Sequence, residues 1–64
     1  MRIELNGKEH EIQGEATISA LITELGLQAC AVEVNKVLVR KAKHADHTLS
    51  DGDRVEIVTL VGGG

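Results

Sequence analysis

Hydrophobic positions in this chain follow two rhythms, and the switches between them mark its elements. In "RIELNGKEHEI" (2–12) apolar and polar residues alternate, the period of a strand with one covered face. Ile3 and Leu5 point one way and Arg2 and Glu4 the other; on the return run Ile12 and His10 share the inward face. Between the runs stands Asn6-Gly7, the pair a type I′ hairpin turn demands because both central residues need φ > 0. In "TISALITELGL" (17–27) the period changes. Ile18, Leu21, Ile22 and Leu25 fall at i, i+3, i+4 and i+7, a single apolar helical stripe. Thr17 is placed to cap its first turn. Gly26 is placed to end it in the left-handed conformation, with Leu27 packing back.

Alternation returns in "CAVEVN" (30–35), where Cys30, Val32 and Val34 share a face, and "VLV" (37–39) follows a tight turn at Asn35-Lys36. The stretch "RKAKHADH" (40–47) is polar and reads as irregular. Leu49 drops back onto the core, Asp51-Gly52 signals a turn, and "RVEIVTLV" (54–61) forms a last strand. That strand puts Val55, Ile57 and Thr59 on one face and Glu56, Val58 and Leu60 on the other. Hairpin, helix, two strands and strand pack economically as an α+β roll: a mixed sheet of four to five strands with one main helix across one face. The last strand, apolar on both faces, is expected at the centre. Residues 1–61 are expected to form a single domain and residues 62–64 a flexible glycine tail.

Composition narrows the function. With 64 residues the chain buries only roughly 60% of its unfolded surface, so its apolar side chains serve one core. Phe, Trp and Tyr are all absent, leaving no stacking platform for single-stranded nucleic acid. A formal net charge of −3 also disfavours backbone-driven nucleic-acid binding. One cysteine, Cys30, forms no internal disulfide, and no run resembles a signal peptide or a membrane span, so a cytoplasmic protein is expected. No carboxylate pair, nucleophile–base pair or phosphate loop stands out, which argues against an enzyme in its own right.

The unusual feature is the end, "TLVGGG". Glycines carry no side-chain chemistry, but without Cβ their backbone enters slots closed to other residues. Three residues past Val61 reach on the order of 10 Å when extended. The tail is therefore suited to deliver its own α-carboxylate, on Gly64, into a partner. Val58 and Leu60, on the open face beside it, make a candidate docking patch.

The hairpin, the helix, "AVEVN", "DGDRVEIV" and "VGGG" together resemble the ThiS family, small ubiquitin-like sulfur carriers of thiamin thiazole synthesis. The resemblance spans Met1 to Gly64 and implies a β-grasp fold, in agreement with the roll. It implies that a ThiF-like enzyme uses ATP to adenylate the Gly64 carboxylate. Sulfur from a cysteine desulfurase or other persulfide donor then displaces AMP, giving a thiocarboxylate that a ThiG-like thiazole synthase consumes. The chain would be a protein cosubstrate with no bound cofactor of its own, and a monomer when alone. Gly63 and Gly64 match the family's terminal pair; Gly62, Val61, Leu60 and Val58 are the implied partner-binding residues.

The carrier step is the same in molybdopterin supply, and a ubiquitin-like modifier would expose the same activated carboxylate to a lysine. "VNKVLVRKAKHADHTLSDGDRVEIVT" also resembles the TGS domain, a β-grasp module that has no terminal glycine. A TGS-like binding module is thus the alternative of another class. Cys30, in phase with Val32 and Val34, reads as a small buried hydrophobe. His44, Asp46 and His47 match no metal-ligand spacing and read as solvated loop residues.

Overall fold

Two turns and one helix organise the chain. The computed structural model describes residues 1–28 and 30–59. Strands β1 (Arg2–Leu5) and β2 (Lys8–Glu11) close on Asn6 and Gly7, whose φ angles of 49° and 84° give the expected type I′ turn. Beyond β2 the Ile12 amide still donates to the Met1 carbonyl at 2.8 Å, which carries Ile12 onto the core. Strands β3 (Cys30–Val34) and β4 (Val37–Val39) repeat the device at Asn35 and Lys36, with φ of 51° and 69°.

Helix α1 (Ile18–Glu24) begins where Thr17 Oγ1 accepts the Ala20 amide at 3.1 Å. It ends in a Schellman motif. Gly26 lies at φ 70°, its amide donating to the Thr23 carbonyl and the Leu27 amide to the Ile22 carbonyl, both at 3.1 Å. Ile18 and Leu21 are buried, while Ile22, Leu25 and Leu27 are half-buried against the core.

The strands form one mixed sheet in the order β2-β1-β5-β3-β4, with β5 (Arg54–Thr59) in the centre as expected. β5 pairs parallel with β1 and antiparallel with β3. Opposite residues share a face, so Val32, Ile57 and Val39 turn together toward the helix. The core is Ile3, Ile12, Ile18, Leu21, Val32, Val34, Leu49, Val55 and Ile57, aliphatic throughout.

The loop after β4 departs from the sequence reading. It holds a short 3₁₀ turn (Lys41–Lys43), and His44 is buried rather than solvated, its Nε2 2.9 Å from the Val39 carbonyl oxygen. The cause lies in the helix. Amides of its first turn need acceptors, and the loop supplies them: Ser19 donates to the His44 carbonyl and Ile18 to the His47 carbonyl. The segment thus docks on the start of α1, and Leu49 follows it into the core with its amide bonded to the Ala16 carbonyl.

Candidate functional site at the end of the central strand

A strand at the centre of a sheet is held on both edges, and β5 shows how each edge is built. On the β3 side the ladder runs the whole strand, from Val34 opposite Val55 to Cys30 opposite Thr59. On the β1 side it stops early: Glu4 faces Arg54, Leu5 faces Val55, and β1 then enters its turn. The Asn6 main-chain amide still donates to the Val55 carbonyl at 2.9 Å. The Asn6 side chain takes over beyond that point. Its Oδ1 accepts the Ile57 amide at 2.8 Å and its Nδ2 donates to the Ile57 carbonyl at 3.2 Å, so a carboxamide stands in for the next peptide group.

Asn35 does the same at the other end and on the other edge of β5. Its amide donates to the Arg54 carbonyl at 2.7 Å, and its Oδ1 accepts the Arg54 amide at 2.9 Å. Both asparagines read in the sequence only as turn formers. The signal for the second role was Asn, an acceptor and donor together, at the first position of both turns.

The face of the sheet away from the helix carries Glu4, Glu33, Leu38, Glu56, Val58 and Ala31. Arg54 Nε lies 3.2 Å from Glu4 Oε2 there, and both side chains are exposed enough that the pair contributes little stability. Glu33 and Glu56 stand directly opposite each other. Val58 is 62% exposed, opposite Ala31 and next to the last described residue of the strand, Thr59. That is where the sequence placed a docking side chain. The other expected site residues, Leu60, Val61, Gly62, Gly63 and Gly64, lie outside the described residues.

One side chain of this region meets surroundings other than those expected. Cys30 is half-buried, not buried, and borders a surface cleft shared with Ser19, Ile22, Lys41 and His44. It sits at the mouth of the core because it is the first residue of β3. Across the molecule, the N-terminal ammonium donates to Glu11 Oε2 at 2.9 Å. That hydrogen bond, the ammonium's charge and Arg2 together hold the Glu11 carboxyl below its ordinary range. Among the described residues, no three side chains of metal-binding type converge, and no helix is long and apolar enough to cross a membrane.

With this architecture in view, the ThiS family profile matches residues 3–64. This chain belongs to the ThiS family. The crystal structure of the thiamine biosynthesis protein ThiS from Geobacter metallireducens superimposes with a TM-score of 0.82 at 28% identity, covering 100% of both chains. An NMR solution structure of a thiamine biosynthesis protein from the same organism gives 0.80 at 28% identity, covering 100% of this chain and 88% of that one. The five-stranded mixed sheet and single helix are therefore the β-grasp fold of ThiS proteins. In sequence, the chain is 39% identical over 66 residues to a thiazole synthase of Paramagnetospirillum magneticum. It is 35% identical over 66 residues to a thiazole synthase of Magnetococcus marinus. All of this chain aligns in each case, yet it spans only 20% of the length of those relatives.

Proposed function

We propose that this ThiS-family chain is a sulfur carrier for thiazole formation in thiamine biosynthesis, acting through the α-carboxylate of Gly64. The observation that carries the reading is the family match through residue 64, which takes in the glycine run after β5. The likeness to ThiS structures supports the thiazole branch over molybdopterin supply. A ThiS-like segment occupying a fifth of a thiazole synthase polypeptide supports a ThiG-like synthase as the receiving partner.

The chemistry follows from the carboxylate. Its oxygen is a poor leaving group, so an activating enzyme of ThiF type must first adenylate Gly64 with ATP. The outer sulfur of a persulfide on a cysteine desulfurase or another donor then displaces AMP at the carbonyl carbon. A thiol cleaves the resulting acyl disulfide, leaving the thiocarboxylate on Gly64 and a disulfide on the donor side. The thiocarboxylate sulfur is soft and nucleophilic, fit for transfer to the thiazole precursor on the synthase. ATP and catalytic groups belong to the partners, and this chain serves as cosubstrate. Val58, Leu60 and Val61 form the docking edge, and Gly62 and Gly63 the thin stalk that enters the partner's site.

The test is intact-protein mass spectrometry after incubation with ATP, a ThiF-like enzyme, a persulfide source and a thiol reductant. The expected result is a mass gain equal to one oxygen replaced by sulfur, localised to Gly64. An unchanged mass, with the enzyme shown competent on another carrier, rules the reading out.

A further inference from the structure

We infer that Asn6 is a positioning residue for the reacting terminus, fixing the direction in which β5 leaves the sheet; this rests on the proposed carrier function. Three observations carry it. β1 stops pairing with β5 at Val55, four residues before Thr59, the last described residue of the strand. Among the described residues, the Asn6 carboxamide is what grips β5 on that edge past Val55, through both the amide and the carbonyl of Ile57. These two bonds join residues 51 positions apart in sequence and are part-buried, where water competes less for the same groups.

Geometry gives the grip its leverage. Five residues separate Thr59 from Gly64, a reach of about 17 Å if extended. Once the tail is drawn out in the partner's slot it keeps the direction in which the strand hands it over, so an error of about 20° there sets its far end about 6 Å off line. Reacting atoms must meet within about 3–3.5 Å, so the loss falls on the fraction of docked carriers whose carboxylate reaches the nucleotide. Docking through the open sheet face is untouched. The effect therefore belongs in kcat with the carrier as varied substrate. A merely destabilising change acts differently: it lowers the concentration of folded carrier and raises the apparent KM, leaving kcat in place.

Asn35 supplies the matched control. It starts the same kind of turn and clamps the same strand, but at Arg54, the end remote from Thr59. The experiment compares Asn6→Gly and Asn35→Gly, both of which keep the positive φ their turns need. Thiocarboxylate formation is followed by mass spectrometry with a ThiF-like enzyme, ATP, a persulfide source and a thiol reductant over a range of carrier concentrations. Hydrogen exchange at the Ile57 amide is read on the same samples. Asn6→Gly is expected to lower kcat by about 5- to 30-fold with KM little changed, the population ratio one or two such hydrogen bonds hold. It also exposes the Ile57 amide to exchange. Asn35→Gly is expected to leave kcat alone. Asn6→Asp, which keeps an acceptor for the Ile57 amide and loses the donor, falls between wild type and Asn6→Gly. An unchanged kcat for Asn6→Gly, or equal losses in both glycine variants, overturns the role of Asn6 while leaving the carrier function standing. A wild-type chain that is never thiolated removes the carrier function and this role with it.

Discussion

The two type I′ turns differ at one position, and that difference predicts a stabilising substitution. In the first turn Gly7 sits at φ 84°; in the second Lys36 sits at φ 69°. A residue with a Cβ in the left-handed region is strained by about 1–2 kcal/mol. Lys36→Gly removes that strain and adds back roughly 0.5–1 kcal/mol of backbone entropy to be lost on folding. The net gain is about 0.5–1 kcal/mol, since Lys36 is exposed and leaves little packing behind. For a domain of this size that raises Tm by roughly 2–8 °C. The reverse change, Gly7→Lys, meets no atom within 4 Å of an added Cβ, so its cost comes from the same backbone term with opposite sign. Thermal unfolding of wild type and both variants, with a urea series to show an unchanged m-value, measures the pair. Stability lowered by Lys36→Gly, or a Gly7→Lys change without cost, refutes the assignment of the difference to φ. Thiolation is expected to stay at the wild-type level in Lys36→Gly, because this turn adjoins the start of β5.

Three further outcomes are expected. Thr17→Ala removes the acceptor for the Ala20 amide and lowers stability by about 1 kcal/mol, read as a shifted urea midpoint at constant m-value. Glu11, whose carboxyl is held low in the folded chain, contributes stability that is present above its unfolded-state value and disappears as pH falls through the folded one. Acetylating the N-terminus is expected to move the Glu11 carboxyl back up in an NMR titration and to flatten that part of the stability profile; a titration indifferent to acetylation shows the cause to be wrong. Val58→Gln changes an exposed side chain, so stability shifts by no more than about 0.5 kcal/mol. KM toward the activating enzyme is expected to rise on the order of tenfold, since burying a valine stabilises a contact by roughly 1.5–3 kcal/mol. An unaltered KM excludes Val58 from the docking edge.

What the sequence disclosed and what it hid divide along a physical line. Alternation along the strands, the 3.6-residue stripe of α1, and the Asn-Gly and Gly26 signals each depend on residues close together in the chain. The hairpins, the helix with both caps, and the central place of β5 all follow from them. The polar loop 40–47 was opaque because its role is carried by main-chain carbonyls of His44 and His47, and a carbonyl has no signature in composition. His44 looked like a solvated residue for the same reason: its burial is imposed by where the loop docks. The asparagine clamps were hidden by distance, since Asn6 and Ile57 meet across almost the whole chain. Of the candidate site, Val58 appears on the exposed face as the alternation required. Its companions from Leu60 onward were legible only as composition and as resemblance.

The carrier reading places two demands on β5, and the proposal gives them to different groups. A docked carrier must be held by its face, which asks for apolar area on the open side of the strand, where Val58 is exposed and is the proposed contact. It must also release a backbone in one direction, which asks for main-chain bonds near the strand's end. β3 provides those on one edge and the Asn6 carboxamide on the other. Because one demand concerns binding and the other orientation after binding, they separate kinetically. Val58→Gln is expected to act on KM and Asn6→Gly on kcat. The double variant is then expected to show both losses in full, since Val58 points away from the helix while Asn6 works through the backbone of Ile57. A double variant whose kcat/KM falls much less than the product of the single losses would mean that both substitutions disturb one thing, the strand itself. Orientation and docking would then be a single property of β5, and the separate role of Asn6 would not stand.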